Sequence, residues 1–139
     1  MYRIKQLSVF IENRTGQITD VTTILSQNNL SIKSINLIDS NDFGLLRVIV
    51  DDAQKTKKVL DNAGISLKIT DVFAVAIDDH IGSFNEVVTL LSSNNINIEY
   101  TYTINNNHNG AFIFKVSPLL FNKTIDILKE NNVEVLKEL

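Results

Sequence analysis

The chain has 139 residues, 44% hydrophobic and 21% charged, with one Pro and no Cys, which gives enough apolar material for a core and excludes a disordered tail. Without Cys there is no disulfide, thiol nucleophile, iron–sulfur cluster or thiolate zinc site, and two His residues, His80 and His108, do not make a metal cage; no cofactor is expected. A net charge of −3 with 13 scattered Lys and Arg argues against nucleic acid or an anionic membrane as partner. The longest apolar run, Val72 to Ile77, covers six positions where a membrane span needs about 18, and residues 1–6 lack a signal peptide's apolar stretch, so a cytoplasmic protein is expected.

In chain order, Leu7, Val9 and Ile11 alternate as a strand. Ile18, Val21, Ile24 and Leu25 then fall on one face of a helix that ends at Asn28-Asn29, a pair able to take a left-handed turn. Leu30 to Ile38 and Phe43 to Val50 read as a hairpin around Asp39-Ser40-Asn41-Asp42. A second helix carries Val59, Leu60 and Ala63 and stops at Gly64, and Ser66 to Thr70 closes the unit as a strand.

The same order then repeats. Gly16 and Gly82 are 66 residues apart, as are Gly44 and Gly110, and the offset maps Val9, Ile11, Ile18, Val21, Asn28-Asn29 and Ile32 onto Val75, Ile77, Phe84, Val87, Asn94-Asn95 and Ile98. The copy reads as strand Phe73 to Ile77, a helix with Phe84, Val87, Val88 and Leu91, and a hairpin of Ile96 to Ile104 and Ala111 to Val116 around Asn105 to Asn109. Next come a helix capped by Ser117, opened by Pro118 and carrying Phe121, Ile125 and Leu128, and a last strand Glu134 to Leu136. Ala63-Gly64-Ile65 matches Asn131-Asn132-Val133, so the register slips by two before or within the last helix.

The order βαββαβ predicts an α+β fold of two tandem ferredoxin-like units, 1–70 and 71–139, each an antiparallel sheet with both helices on one face. Alternation turns Phe10, Leu45, Ile49, Ala74, Ala76, Ala111 and Ile113 away from the helices, an apolar set that predicts cover by the other repeat or by a second copy, hence a homodimer or higher homo-oligomer.

The most specific local feature is the turn into the first helix, Glu12-Asn13-Arg14-Thr15-Gly16-Gln17-Ile18, with its copy Asp78-Asp79-His80-Ile81-Gly82-Ser83-Phe84. These turns, in tandem over the whole chain, resemble the ACT-domain family, small-ligand regulatory modules whose first loop carries Asp or Asn, two residues, then Gly. The resemblance implies a non-catalytic regulator, without a catalytic domain attached, that binds an amino acid or related metabolite at these loops and at domain interfaces and acts on an enzyme partner. The first loop has Asn13 where Asp is commoner, the second carries His80-Ile81, and neither has the Pro often found before the Gly.

The chemistry can be stated independently. A helix start offers N–H groups and partial positive charge to a carboxylate, Gly16 and Gly82 allow close approach, and Asn13 or Asp79 could accept from an ammonium. The competing reading makes Gly a backbone necessity and the polar residue a helix cap. Arg14 could clamp a carboxylate or simply be solvated; His80 could meet a ligand or be structural. Asn36 could offer a polar contact where the copy has Tyr102, and Tyr100 and Tyr102 read as core or interface. A ligand-free structural or protein-interaction module of the same fold is the alternative function. An RNA-binding surface lacks paired aromatics within one unit, and Asp78-Asp79 alone does not make a catalytic constellation.

Overall fold

The computed structural model describes residues 1–12, 14–40, 43–78, 80–106 and 109–139. The chain forms two compact units, Lys5–Thr70, and Asp71–Leu139 together with Met1–Ile4. The first contains β1 (Ile4–Glu12) from Lys5 on, α1 (Gln17–Gln27), β2 (Ile32–Ser40), β3 (Phe43–Val50), α2 (Ala53–Asn62) and the opening of β4 (Leu67–Ala76). The second contains the rest of β4, α3 (Ser83–Ser93), β5 (Tyr100–Asn106), β6 (Asn109–Lys115), a 3₁₀ turn Pro118–Leu120, α4 (Phe121–Glu130) and β7 (Val135–Leu136). Both are ferredoxin-like βαββαβ units, as the order of periodicities predicts.

In the first unit β3 lies between β1 and β2, antiparallel to both, with Val9 opposite Leu46 and Leu46 opposite Leu37. Leu7, Val9 and Ile11 turn to the helices and pack with Val21, Leu25, Leu46, Val48 and Leu60 in one buried cluster. In the second unit β6 lies between β4 and β5, and β7 pairs with β4 on its other side. Phe73, Val75, Val87, Leu91, Phe114, Phe121, Ile125 and Leu128 form the matching core. Phe73 stacks on Phe114 at 5.4 Å and meets the edge of Phe121 at 5.8 Å. Each fully buried Leu or Phe contributes about 1.5–3 kcal/mol, so the cores, not helix propensity, hold these short helices.

The second repeated glycine pair has a steric cause. A Cβ on Gly44 would lie 3.1 Å from Cγ1 of Ile11, and one on Gly110 would lie 2.6 Å from Cδ1 of Ile77. Ile11 and Ile77 hold equivalent places at the end of the first strand of each unit, so each leans over the glycine of its neighbouring strand.

Several sequence boundaries shift. The helices α1 to α4 close with the same backbone bond, Leu30 N–H to Leu25 O, Ile65 to Leu60, Ile96 to Leu91 and Val133 to Leu128, with Asn29, Gly64, Asn95 and Asn132 at positive φ. Leu30 and Ile96 are therefore buried as the apolar residue that follows a Schellman cap, and β2 and β5 begin later, at Ile32 and Tyr100. β2 runs on through Ser40, β5 through Asn106, and β6 starts at Asn109 and stops at Lys115. Asn41, Asp42, Asn107 and His108 of the expected turns lie outside the described residues.

The two-residue slip precedes the last helix. Ser117 makes no side-chain cap, Pro118 opens the 3₁₀ turn, and α4 then matches α2 in length at ten residues. Ala63, expected in the core, is exposed, whereas Thr56 and its counterpart Thr124 are fully buried, each hydroxyl donating at 2.7 Å to a backbone carbonyl four residues back. The face turned from the helices also differs from a uniformly open one: Phe10 is 53% exposed, but Ile49, Ala74, Ala111 and Ile113 are buried within the single chain. Among the described residues no helix is long and apolar enough to cross a membrane.

Candidate functional site

Both helix-start loops are built to one plan. Gly16 (φ 89°) and Gly82 (φ 94°) sit in the left-handed region just before α1 and α3, a conformation that favours glycine. The backbone bonds coincide: Arg14 N–H donates to Glu12 O and Gln17 N–H to Arg14 O in one, His80 N–H to Asp78 O and Ser83 N–H to His80 O in the other. Neither glycine can supply a side-chain cap and neither helix start has one; the loop carbonyls of Arg14 and His80 take the first helical amide of each, and the amides that follow have no side-chain cap. Asn13 and Asp79, the expected acceptors for an ammonium, lie outside the described residues.

The side chains around each glycine form a three-member ion clip. Arg14 Nε lies 3.2 Å from Glu12 Oε2 and Nη2 lies 3.5 Å from Asp20 Oδ2. In the second loop His80 Nδ1 is 3.3 Å from Asp78 Oδ2 and Nε2 is 3.3 Å from Glu86 Oε1. The hydrogen bond with Glu86, helped by the nearby charges of Glu86 and Asp78, raises the His80 pKa above its ordinary 6.5 against the opposing effect of desolvation. Because the two ring nitrogens face different carboxylates, the trio is a bridge rather than a chelate. Among the described residues no group of three or more His, Asp or Glu is arranged for a metal ion.

The second loop borders a cavity of about 380 Å³, within the usual size of small-molecule sites (about 300–1,000 Å³). Ile77 and Asp78 at the end of the strand, Ser83, Glu86 and Val87 on the first turns of α3, Phe112 on β6 and residues 131–134 after α4 line it. Among the described residues its polar lining is Asp78, Ser83, Glu86, Asn131, Asn132 and Glu134, acidic, amide and hydroxyl groups without Lys or Arg. Such a lining suits an ammonium, and the uncapped start of α3 offers N–H groups to a carboxylate.

Of the residues singled out from sequence, the structure groups Arg14, Thr15, Gly16, Gln17 and Ile18 around one helix start and His80, Ile81, Gly82, Ser83 and Phe84 around the other. Ser83 lines the cavity; Ile81 is fully exposed. Phe84 is anchored by aromatic packing, 4.9 Å from Phe112 and stacked at 6.0 Å on Phe114, so it supports the cavity wall. Arg14 is engaged by two carboxylates. Asn36 is not at the loop: it stands on β2 opposite Arg47, with β3 between it and β1. Tyr100 and Tyr102 stand half-buried opposite Lys115 and Ile113.

Sequence reasoning missed Glu86, Asn131, Asn132 and Glu134. The Ser83-to-Glu86 spacing of three is a capping-box signal that marks Glu86 as close to the loop. Nothing in the local sequence connects residues 131–134 with position 83; only the fold does.

Comparison with known proteins agrees with this architecture. The curated relative named acetolactate synthase small subunit, from Buchnera aphidicola subsp. Baizongia pistaciae (strain Bp), is 26% identical over 142 residues, which span 96% of this chain and 86% of that one. Among solved structures, protein BT0572 from Bacteroides thetaiotaomicron matches with a TM-score of 0.89 and 34% identity, over 97% of this chain and 92% of the other. The ligand-free regulatory subunit of aspartate kinase from Thermus thermophilus shares the fold at a TM-score of 0.65 and 12% identity, over 94% and 93% of the two chains. The family model described as an ACT domain pair matches residues 2–139, and the chain belongs to that ACT-domain family.

Proposed function

We propose that this ACT domain pair is a non-catalytic regulator that binds a free amino acid, or a metabolite with the same zwitterionic ends, in the cavity beside α3. One ACT domain would correspond to each repeat, 1–70 and 71–139. The observation that carries the reading is the 380 Å³ cavity at the uncapped start of α3, lined by Asp78, Glu86 and Glu134. The ligand's carboxylate would take the helix N–H groups, its ammonium the acidic rim, and its side chain the wall formed by Val75, Val87 and Phe112. Ligand would act by tightening one arrangement over another, reported to a catalytic chain in the cytoplasm. The relative that is named a synthase small subunit supports an enzyme as partner.

A thermal-shift screen against the common amino acids tests this. A ligand at about 100 times its Kd stabilises the native state by about 2.7 kcal/mol, which raises the Tm of a domain this size by several degrees. Absence of a shift with every amino acid at millimolar concentration would overturn it and favour the module without ligand. That second reading has its own support in the ion clips, which close both loops with the protein's own side chains.

A further inference from the structure

The opening residues of the chain belong by their contacts to the second unit: Met1–Ile4 group with Asp71–Leu139, and β1 passes into the first unit at Lys5. The 66-residue offset gives this segment a counterpart, Leu67–Thr70, which closes the first unit before β4 passes into the second. Each unit therefore takes in the four residues that lead into the other's first strand. The two straps hold differently. Ile69, at the place of Arg3, packs on the apolar core of the first unit beside buried Leu67, whereas Tyr2 and Arg3 grip α4 through rings and charge.

Arg3 holds the start of α4. Its Nη1 donates to Asp71 Oδ2 at 2.8 Å and its Nη2 to Asn122 Oδ1 at 3.2 Å, while its Cζ lies 4.2 Å from the ring centroid of Phe121, the buried first residue of the helix. Tyr2 meets the other end: it packs against the core of the unit, and its ring centroid lies 5.0 Å from Nζ of Lys129 in the last turn. Residues 131–134, one wall of the cavity, follow α4 at once. The strand after them gives little support, since β7 is two residues long and pairs with β4 at Val75 and Ala74. The wall hangs on the helix: the N–H groups of Asn131, Asn132 and Val133 donate to the carbonyls of Ile127, Lys129 and Leu128. A helix fixed at both ends keeps such a wall in one place.

We propose that Tyr2 and Arg3 are positioning residues of the second unit's cavity: by clasping α4 at both ends they hold residues 131–134 where a bound molecule meets them. Among the described lining residues neither is found, so their effect on binding passes through α4. By linkage, a molecule seated against this wall makes the strap harder to release. The effect on affinity rests on the ligand reading above; the holding of the wall does not.

Amide hydrogen exchange on the full chain tests the wall directly. Arg3→Ala and Tyr2→Ala are each expected to speed exchange at Asn131 to Val133 about fivefold or more, while α3 of the same unit keeps its rate. Tyr2→Phe, which keeps the ring beside Lys129, is expected to exchange as the wild type does. Arg3→Lys keeps a charge for Asp71 but loses the fork that also reaches Asn122; it is expected to give an intermediate rate and decides the matter should an alanine variant fail to fold. The same variants are then titrated with an equimolar mixture of the common amino acids, read as Tm shift. The half-saturating concentration is expected to rise about fivefold or more in both alanine variants and to stay put in Tyr2→Phe. Wild-type exchange at Asn131 to Val133 in the variants, or an equal acceleration in α3, which marks a general loss of stability, would overturn the proposal. Faster exchange with an unchanged half-saturating concentration would overturn it too. A wild-type chain that shows no Tm shift in the mixture removes the ligand reading instead, and exchange at Asn131 to Val133 then decides the strap by itself.

Discussion

The helix-start loops of the two repeats share a backbone, a glycine and a charge plan, yet differ in the cation at the centre. Glu12, Arg14 and Asp20 in the first correspond by the 66-residue offset to Asp78, His80 and Glu86 in the second. A clip of acid, base and acid therefore belongs to the loop's architecture, and neither base is left over to grip a ligand carboxylate. What distinguishes the loops is that a guanidinium keeps its charge across the working pH range whereas an imidazole does not.

The sharpest way to break this comparison is to remove one acid from each clip. Glu86 lines the cavity, and Asp20 is its counterpart in the first loop. Glu86→Gln is expected to reduce amino-acid-induced stabilisation by about 1–3 kcal/mol, and Asp20→Asn to leave it unchanged, both read from Tm shifts with and without ligand. Equal losses would make the loops equivalent and remove the cavity's special place.

The glycines that each unit sets beside its first strand give the next largest contrast. Gly110 has the shorter distance, but that contact is the tip of half-buried Ile77, which can turn aside, and the next is the backbone oxygen of Ile104 at 3.3 Å, wider than the two nearest contacts of Gly44. Gly44 meets Cγ1 of Ile11, buried in the core, together with Leu37 Cδ1 at 3.2 Å. Gly44→Ala is accordingly expected to cost about 1–3 kcal/mol in urea unfolding, and Gly110→Ala less. Thr56→Val and Thr124→Val are expected to lower stability alike, by about 1 kcal/mol each, because both hydroxyls make the same buried bond. Unequal values would show that the helices are not equivalently packed.

Much of the fold is legible in the sequence because the repeat doubles every signal: the alternation at Leu7, Val9 and Ile11 is short enough to be accidental, and its recurrence at Phe73, Val75 and Ile77 removes the accident. The errors have physical causes. Leu30 and Ile96 look like strand starts, but their burial belongs to the helix cap that Asn29 and Asn95 complete. Thr56 looks polar, but its hydroxyl satisfies itself on its own helix and leaves the methyl to the core. Alternation assigns Ile49, Ala74 and Ile113 to a face without saying what removes them from water. The cavity is half legible: Gly82 and Ser83 announce a helix start, whereas Asn131, Asn132 and Glu134 reach it only through the return of the chain after α4.

The smallest effect expected is the one that reads the difference between the cations directly. The pKa of His80 is raised in the folded protein, so the folded loop holds the proton more firmly than the unfolded chain does. The clip is then complete below 6.5 and loosens as pH rises through the raised value, the sign opposite to that of a carboxylate whose pKa is depressed. All three side chains are exposed, so screening keeps any change in global stability slight and the loop itself is the place to look. In an NMR titration the His80 ring is expected to have a midpoint above 6.5, the amides of His80 to Ser83 to move with it, and those of Arg14 to Gln17 to stay still. His80→Arg is expected to silence the response of the second loop. A midpoint at or below 6.5, or a first loop that titrates in step, would mean that the shared geometry is not the clip that holds these loops.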